Sequence, residues 1–342
     1  MSRALVSGCI HVKVLGDVGI ANRKQAMITL EDVHSALVYE EQFYRRTPQW
    51  TSTTLSQRLR TNVHLKLELF QHSGSFKTRG AFHQMLSLGQ AALDKGVVAV
   101  SGGNFARAVG YCSGVLGVDA IVCMPENAPA GSIDATRDYG AEVELLPDAV
   151  AAFARADEWV AKGRSSLHPF DNPAQMAGNG TVGLEILEDC PQMSDIIISI
   201  GGGGLIAGII CAIKAVKPTV RIWGVEPEKA PTMAQALAAG KIVNIRPTSL
   251  SKTLGGPFVG QTGLELCQAH LEDVIIVSDP DMIAAQQVML ESEKVFAELA
   301  AASTLAAAEK IKERLRDEDH LVLLICGGND SVADVAAYAR ML

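Results

Sequence analysis

The chain has 342 residues, 48% of them hydrophobic, with 38 acidic and 30 basic side chains and a formal net charge of -8. That length and composition suit one large α/β unit or two lobes around a sizeable core. The charges form no long block of either sign and no basic stripe, which argues against a nucleic-acid-binding face and leaves solubility as the plain meaning of the balance.

Residues 1–26 mix apolar positions with Arg3, His11, Lys13, Asp17, Arg23 and Lys24, without the ordered basic, apolar and cleavage regions of a secretory signal. They are expected to be a loosely attached extension, with Met27 as an alternative start. The run Val63 to Glu68 alternates like a half-buried strand and leads into HSGSFKTRGA, residues 72–81. By itself, Lys77 in that stretch reads as a solvated charge.

From about residue 97, short apolar runs alternate with amphipathic stretches: 97–100 then 105–116, 120–124 then 132–139, 142–146 then 149–160. After His168-Pro169-Phe170 the pattern resumes, with strands expected near 196–200, 220–226, 273–277 and 321–325, and an alanine-rich helix over 297–308. This is the rhythm of βαβ units and predicts parallel sheets covered by helices. The economical architecture is two open-sheet αβ lobes with a cleft between them. Residues 27–96 with 166–342 are expected to form a large domain and residues 97–165 a small one. Only 16 residues follow Cys326, so no fused C-terminal regulatory domain is expected.

Ile196 to Ile213 carries no charge for 18 residues, the lower limit for a membrane-spanning helix, but four central glycines predict a buried strand, a loop and a helix instead. Seven cysteines, at 9, 112, 123, 190, 211, 267 and 326, include no CxxC pair. Reduced thiols in a cytoplasm follow as the expectation, and structural zinc is not expected.

Gly201 to Gly204 stand where a strand ends and a helix begins, so their unhindered N–H groups and the helix terminus beyond them suit a phosphate. A turn alone would not need four glycines, given their entropy cost. The loose match of Gly203 to Gly208 to a dinucleotide motif keeps that ligand as the alternative, although Glu226, at the distance of its usual acid, precedes Pro227. Ser101-Gly102-Gly103-Asn104-Phe105 also joins a strand to a helix and suits a second anion such as a carboxylate, though it is equally ordinary turn chemistry. Cys326-Gly327-Gly328-Asn329 closes the last strand at another carboxyl end, where α/β sheets place ligands. Alone, Cys326 reads as a core thiol.

Together these elements resemble the fold type II pyridoxal-phosphate enzymes, and within them the serine/threonine dehydratase (threonine ammonia-lyase) family. The likeness covers about residues 28–342. It includes Thr47-Pro48 with Ser52, the 73–81 lysine motif, the 101–105 loop, Met124-Pro125-Glu126, and Asp134 to Arg137 with Tyr139 to Glu142. His168 to Asp171, Gly178 to Gly183, the tetraglycine loop, Gly224 to Pro227 and Cys326 to Asn329 complete it.

The resemblance implies a pyridoxal 5'-phosphate cofactor in the cleft, with Lys77 holding it as a Schiff base and serving as general base. Phe76, Lys77, Asn104, Gly201, Gly202, Gly203, Gly204, Leu205 and Cys326 would bind the cofactor: the glycines its phosphate, Asn104 its 3'-oxygen, Cys326 facing its ring nitrogen. Ser101, Gly102, Gly103, Asn104 and Phe105 would bind the substrate carboxylate. The expected reaction is loss of water from L-threonine or L-serine, giving a 2-oxo acid and ammonia.

Related racemases use a serine where this chain has Gly102, which disfavours racemisation. A β-replacement synthase on the same cofactor remains a rival, although such enzymes usually carry threonine where Phe105 stands here, and a nucleotide-binding protein without activity is a third reading. Phe105 and Lys252 depart from the family pattern, and if both line the cleft they suit 3-hydroxyaspartate or a phenylserine; both residues serve equally well as structural ones. A cation bound through Glu226 lacks its usual second acid, since Thr232 stands there, so no metal site is assigned. A homodimer is expected from the resemblance.

Overall fold

The computed structural model describes residues 28–38 and 40–342. The expected N-terminal extension, with Cys9, lies outside the described residues. Ten strands form two sheets: β1 (Gln49–Ser52), β2 (Asn62–Lys66), β3 (Val97–Val100), β4 (Ala120–Pro125), β5 (Glu142–Leu146), β6 (Ser165–Leu167), β7 (Asp195–Ser199), β8 (Arg221–Pro227), β9 (Leu271–Val277) and β10 (His320–Leu324). The six-stranded sheet has the order β1-β2-β10-β7-β8-β9, and the four-stranded sheet β5-β4-β3-β6. Every pairing is parallel except the antiparallel edge pair β1 and β2.

Sequence explains the strand positions. β7 is buried along its whole length, with Ile196, Ile197 and Ile198 all inaccessible to water, as an interior parallel strand requires. At the edge, β9 exposes Glu272 and Asp273, charges that discourage further strand pairing. The uncharged run 196–213 divides into β7 and the helix Gly204–Val216, and no helix among the described residues is long and apolar enough to cross a membrane.

The helix Pro173–Asp189 is central to the larger body. It starts with Asn172, whose side chain accepts the Gln175 N–H at 3.1 Å, and with proline in its first turn. Its glycines allow backbone-to-backbone packing on two sides. A Cβ on Gly178 would lie 2.7 Å from the Arg79 carbonyl oxygen, and one on Gly180 would lie 2.8 Å from that of Gly208. The helices Lys77–Leu86 and Gly204–Val216 are thereby pressed against it.

Four fully buried charges join these elements. Arg79 donates to Glu68 through Nε and Nη2, at 2.8 and 2.7 Å, and to Glu185 through Nη1. Lys66 donates to Glu185 at 2.5 Å and to the Thr47 carbonyl at 2.9 Å, and the Thr47 hydroxyl donates to Glu68. Glu68 and Glu185 hold the Arg79 guanidinium well above its ordinary value against the opposing effect of burial. Two cations and two anions thus balance in a dry interior.

Two strands were not anticipated. β1 and β6 are short and partly polar, and they exist through pairing with β2 and β3 rather than through any apolar pattern of their own. The alanine-rich helix runs over Leu299–Ile311, two residues later than expected, because Ala297 and Glu298 are engaged in loop contacts instead.

Glu185→Gln removes one anion from the buried set and is expected to lower the unfolding free energy by about 3–5 kcal/mol in urea titrations. Glu188→Gln, which breaks the exposed Arg46–Glu188 pair, should cost under about 1 kcal/mol.

Candidate active site

The carboxyl ends of β3, β7 and β10 open on one cleft of about 730 Å³. Every residue that the sequence assigned to cofactor or substrate lines it: Phe76 and Lys77, the loop 101–105, Gly201 to Leu205, and Cys326. Lys252 lines it too; Phe105 is buried there and Lys252 exposed.

Lys77 reaches the cleft through a tight local structure. After β2 the chain makes two short turns in which Ser73 and Gly74 have φ of 59° and 76°, a conformation that glycine adopts without strain. Ser75 then bridges to Gly327, the Phe76 N–H donates to the Cys326 carbonyl at 3.0 Å, and the Gly328 N–H donates to the Gly74 carbonyl at 3.0 Å. The lysine loop and the cysteine loop are stapled together, and the helix begins at Lys77. Thr78 ties that first turn back by donating to the His72 carbonyl at 2.6 Å.

The Lys77 ammonium donates to the Pro169 carbonyl at 2.6 Å and lies 5.0 Å from the Phe76 ring centroid and 5.7 Å from that of Phe105. Burial pulls its pKa down to about 8, with the Cys326 sulfur opposing the shift. Cys326 is driven far upward, first by burial and then by Glu298, so it faces the cleft as a neutral thiol.

The tetraglycine loop is held from behind. Phe170 occupies the space that side chains on Gly202 and Gly204 would need, and a Cβ on Gly201 would lie 2.9 Å from the Leu254 carbonyl oxygen. Gly203, at φ 90°, turns the chain into the helix. Among the described residues, the N–H groups of Gly201 to Gly204 donate to no protein acceptor. In the second loop the same holds for Gly102, Asn104 and Phe105, while Gly103 donates to the Ser101 hydroxyl at 3.3 Å. Unpaired donors at two helix starts suit two anions.

Behind Asn104 lies a network that sequence reasoning did not assemble. Glu298 accepts from Asn104 Nδ2 at 2.8 Å, from the Thr253 hydroxyl at 3.0 Å and from the Asn329 N–H at 3.1 Å. Asn329 Nδ2 donates to Asn104 Oδ1 at 2.8 Å and to the Ser73 carbonyl at 2.9 Å. Burial, helped by Asp330, raises Glu298 to about 7 against those donors. The only signals in sequence were Glu298 itself and the asparagine after Gly327-Gly328; their meeting with a residue about 200 positions away could not be read.

Glu226 lies outside the cleft. Its two oxygens accept the N–H groups of Met233 and Ala234 at 2.7 and 2.9 Å, and Thr232 donates to the Gly256 carbonyl. Glu226 serves there as a cap on the helix Thr232–Ala239.

The residues present fit pyridoxal phosphate. A cradle of unpaired N–H groups suits a phosphate, a buried amine near neutrality suits an aldehyde, and a neutral thiol suits an aromatic nitrogen. Ser251, buried on the same wall, has a hydroxyl without a partner among the described residues. The neutral amine is the nucleophile toward an aldehyde, so uptake of pyridoxal phosphate by the apoprotein is expected to accelerate as pH rises through about 8 and then to level. The yellow absorbance of the bound cofactor follows this directly. A rate still climbing toward the ordinary lysine value of 10.5 would contradict the buried setting of Lys77.

Residues 40–327 match the family described as pyridoxal-phosphate dependent enzymes. The L-threonine ammonia-lyase of Geobacter sulfurreducens is 39% identical over 298 residues, 85% of this chain and 73% of that protein. A catabolic L-threonine dehydratase of Escherichia coli is 38% identical over 292 residues, 83% of this chain and 88% of that one. Among solved structures, maize serine racemase superposes with a TM-score of 0.87 at 29% identity, covering 92% of this chain and 98% of its own. The processed form of threonine deaminase isoform 2 from Solanum lycopersicum gives 0.86 at 30% identity, covering 91% of this chain and 92% of its own.

Proposed function

The chain belongs to the family of pyridoxal-phosphate dependent enzymes, and on that premise we propose that it is an ammonia-lyase for a β-hydroxy amino acid, with L-threonine or L-serine preferred. The substrate loses its α-proton and its β-hydroxyl as water, and hydrolysis of the resulting enamine leaves a 2-oxo acid and ammonia. Pyridoxal phosphate supplies an aldehyde that captures amines and a ring that withdraws electron density from the substrate's α-carbon.

The chain's own residues divide the remaining work. Lys77 would hold the cofactor, and its buried amine, with its pKa lowered to about 8, is placed to take the substrate's α-proton. Gly201 to Gly204 and the N–H of Leu205 would hold the phosphate, and Phe76, which also lines the cleft, would contribute to the cofactor's binding. Asn104, fixed by Glu298 and Asn329, would donate to the cofactor's 3'-oxygen, and the 101–105 loop would bind the substrate carboxylate.

The observation that carries elimination is Cys326. A neutral thiol would not keep a pyridine nitrogen protonated as a carboxylate would, so the ring would be a modest electron sink, which suits loss of the β-hydroxyl together with the α-proton. Gly102 supports the same reading, because it offers no proton donor. A side chain there would also be crowded, since its Cβ would stand 2.9 Å from that of Ala128.

Lys252 at the cleft keeps 3-hydroxyaspartate as a second substrate class, and Phe105 keeps phenylserine. The division into a large body and a small one over 97–165 belongs to this reading, supported by the four-stranded sheet β5-β4-β3-β6, although β6 extends to Leu167 and the core beneath that sheet also takes in Phe43, Tyr44, Phe82 and Met85. So do a cytoplasmic location, supported by the free thiols of the six described cysteines, and a homodimer, which rests on the sequence resemblance alone.

Incubation with L-serine, L-threonine, 3-hydroxyaspartate and phenylserine, with 2-oxo acid and ammonia measured, is expected to show turnover of a hydroxy amino acid. Ammonia from none of the four would refute the lyase, and D-serine forming faster than 2-oxo acid would make the enzyme a racemase. Lys77→Ala should lower turnover by at least about 10²–10⁴-fold, and no cofactor should remain covalently attached to it after borohydride reduction. Retention of attached cofactor would reassign the lysine.

A further inference from the structure

At the opposite end of the large sheet from the cleft, three side chains from distant parts of the sequence meet. His64 on β2 and His320 on β10 belong to neighbouring parallel strands, in a register that pairs His64 with Val322 and His320 with Asn62. Both imidazoles therefore project on one face, with ring centroids 5.3 Å apart and planes within 25°. His64 Nε2 is 3.0 Å from His320 Nδ1. Cys190, which ends the helix Pro173–Asp189, brings its sulfur over the same face, and one donor atom from each residue lies within 4.8 Å of the others.

We propose that His64, Cys190 and His320 form a binding site for a borderline-soft divalent ion of the zinc class. Zinc bonds of about 2.0–2.1 Å to nitrogen and about 2.3 Å to sulfur place ligand atoms roughly 3.3–3.7 Å apart in a tetrahedron, a separation this cluster reaches with small side-chain movements.

The surroundings are those of a ligand set. Thr51, the cross-strand partner of His64, has its hydroxyl 3.1 Å from His64 Nδ1. By accepting that proton it leaves the Nε2 lone pair aimed at His320, the orienting contact that metal-bound histidines characteristically have. The Lys217 ammonium donates to the Pro191 and Met193 carbonyls and so holds the chain just after Cys190 in place. Cys190 and His64 are buried and His320 is partly exposed, which gives the ion a way in.

The site is not part of the cleft: from His320 the extended chain advances six residue steps to Cys326, roughly 20 Å. An ion there would tie the end of the central helix to β2 and β10. It is independent of the proposed reaction.

Holoenzyme dialysed against Zn²⁺ and then against metal-free buffer is expected to keep one zinc per chain. X-ray absorption should show one sulfur at about 2.3 Å and nitrogens at about 2.0–2.1 Å. His320→Ala and Cys190→Ser should each lose that retention while keeping the cofactor absorbance, and Thr51→Val should weaken zinc binding about 10–100-fold. Wild-type protein that keeps no zinc, or zinc bound without sulfur and unaffected by His320→Ala, would overturn the site and leave two hydrogen-bonded imidazoles.

Discussion

The buried set Lys66, Glu68, Arg79 and Glu185 is the constraint on which the rest of the site depends. Arg79 lies two residues after Lys77, on the same helix, and both carboxylates that hold it are inaccessible to water. Taking four charges out of water is costly, and the arrangement is tolerable because each finds opposite charge and further donors at hydrogen-bond distance. Its contribution is position. A rotation of the helix about its axis would leave a charge unpaired in a dry interior, so the start of that helix, and the amine it carries, has one permitted orientation. Glycine contacts with the helix Pro173–Asp189 close the remaining slack.

The same economy governs the two anion loops. Both lie where a parallel strand gives way to a helix, so unpaired N–H groups arise there without special devices. The chain decides only what stands behind them. Phe170 backs the tetraglycine loop, and the carbonyl of its neighbour Pro169 receives the Lys77 ammonium. One short segment therefore supports both the anion cradle and the buried amine. The Asn104 loop is supported instead by Glu298 and Asn329, and Asn329 also bonds the lysine loop through Ser73. The three parts of the cleft are thereby mechanically joined.

Electrostatics then select among reactions open to one cofactor. Burial lowers Lys77 toward neutrality and raises both Cys326 and Glu298 toward their uncharged forms. A pyridoxal ring held among so few fixed charges would be a weak electron sink, which would suit chemistry in which a leaving group departs with the α-proton. Lys252, exposed at the cleft, is the charge that would distinguish an acidic substrate from a neutral one.

The sequence by itself determined what depends on neighbours along the chain. The alternation of apolar runs with amphipathic stretches predicted β3, β4, β5, β7, β8 and their helices, and end shifts of a residue or two change nothing at the site. Lys77, Asn104, the four glycines and Cys326 all line the cleft; position at a strand end marked the glycines and the 101–105 loop as anion sites, whereas the roles of Lys77 and Cys326 came only from the resemblance of the ordered motifs to a known family. Tertiary structure alone decided what depends on distance in space. β1 and β6 form because a partner strand offers them hydrogen bonds, which their own composition does not advertise. The partners of Arg79 and Asn104 lie up to about 200 residues away. The meeting of His64, Cys190 and His320 has no CxxC-like spacing to announce it, because parallel register and the end of one helix bring them together. A local pattern records what each residue can do, and only the packing of the whole chain sets which of those capacities face one another.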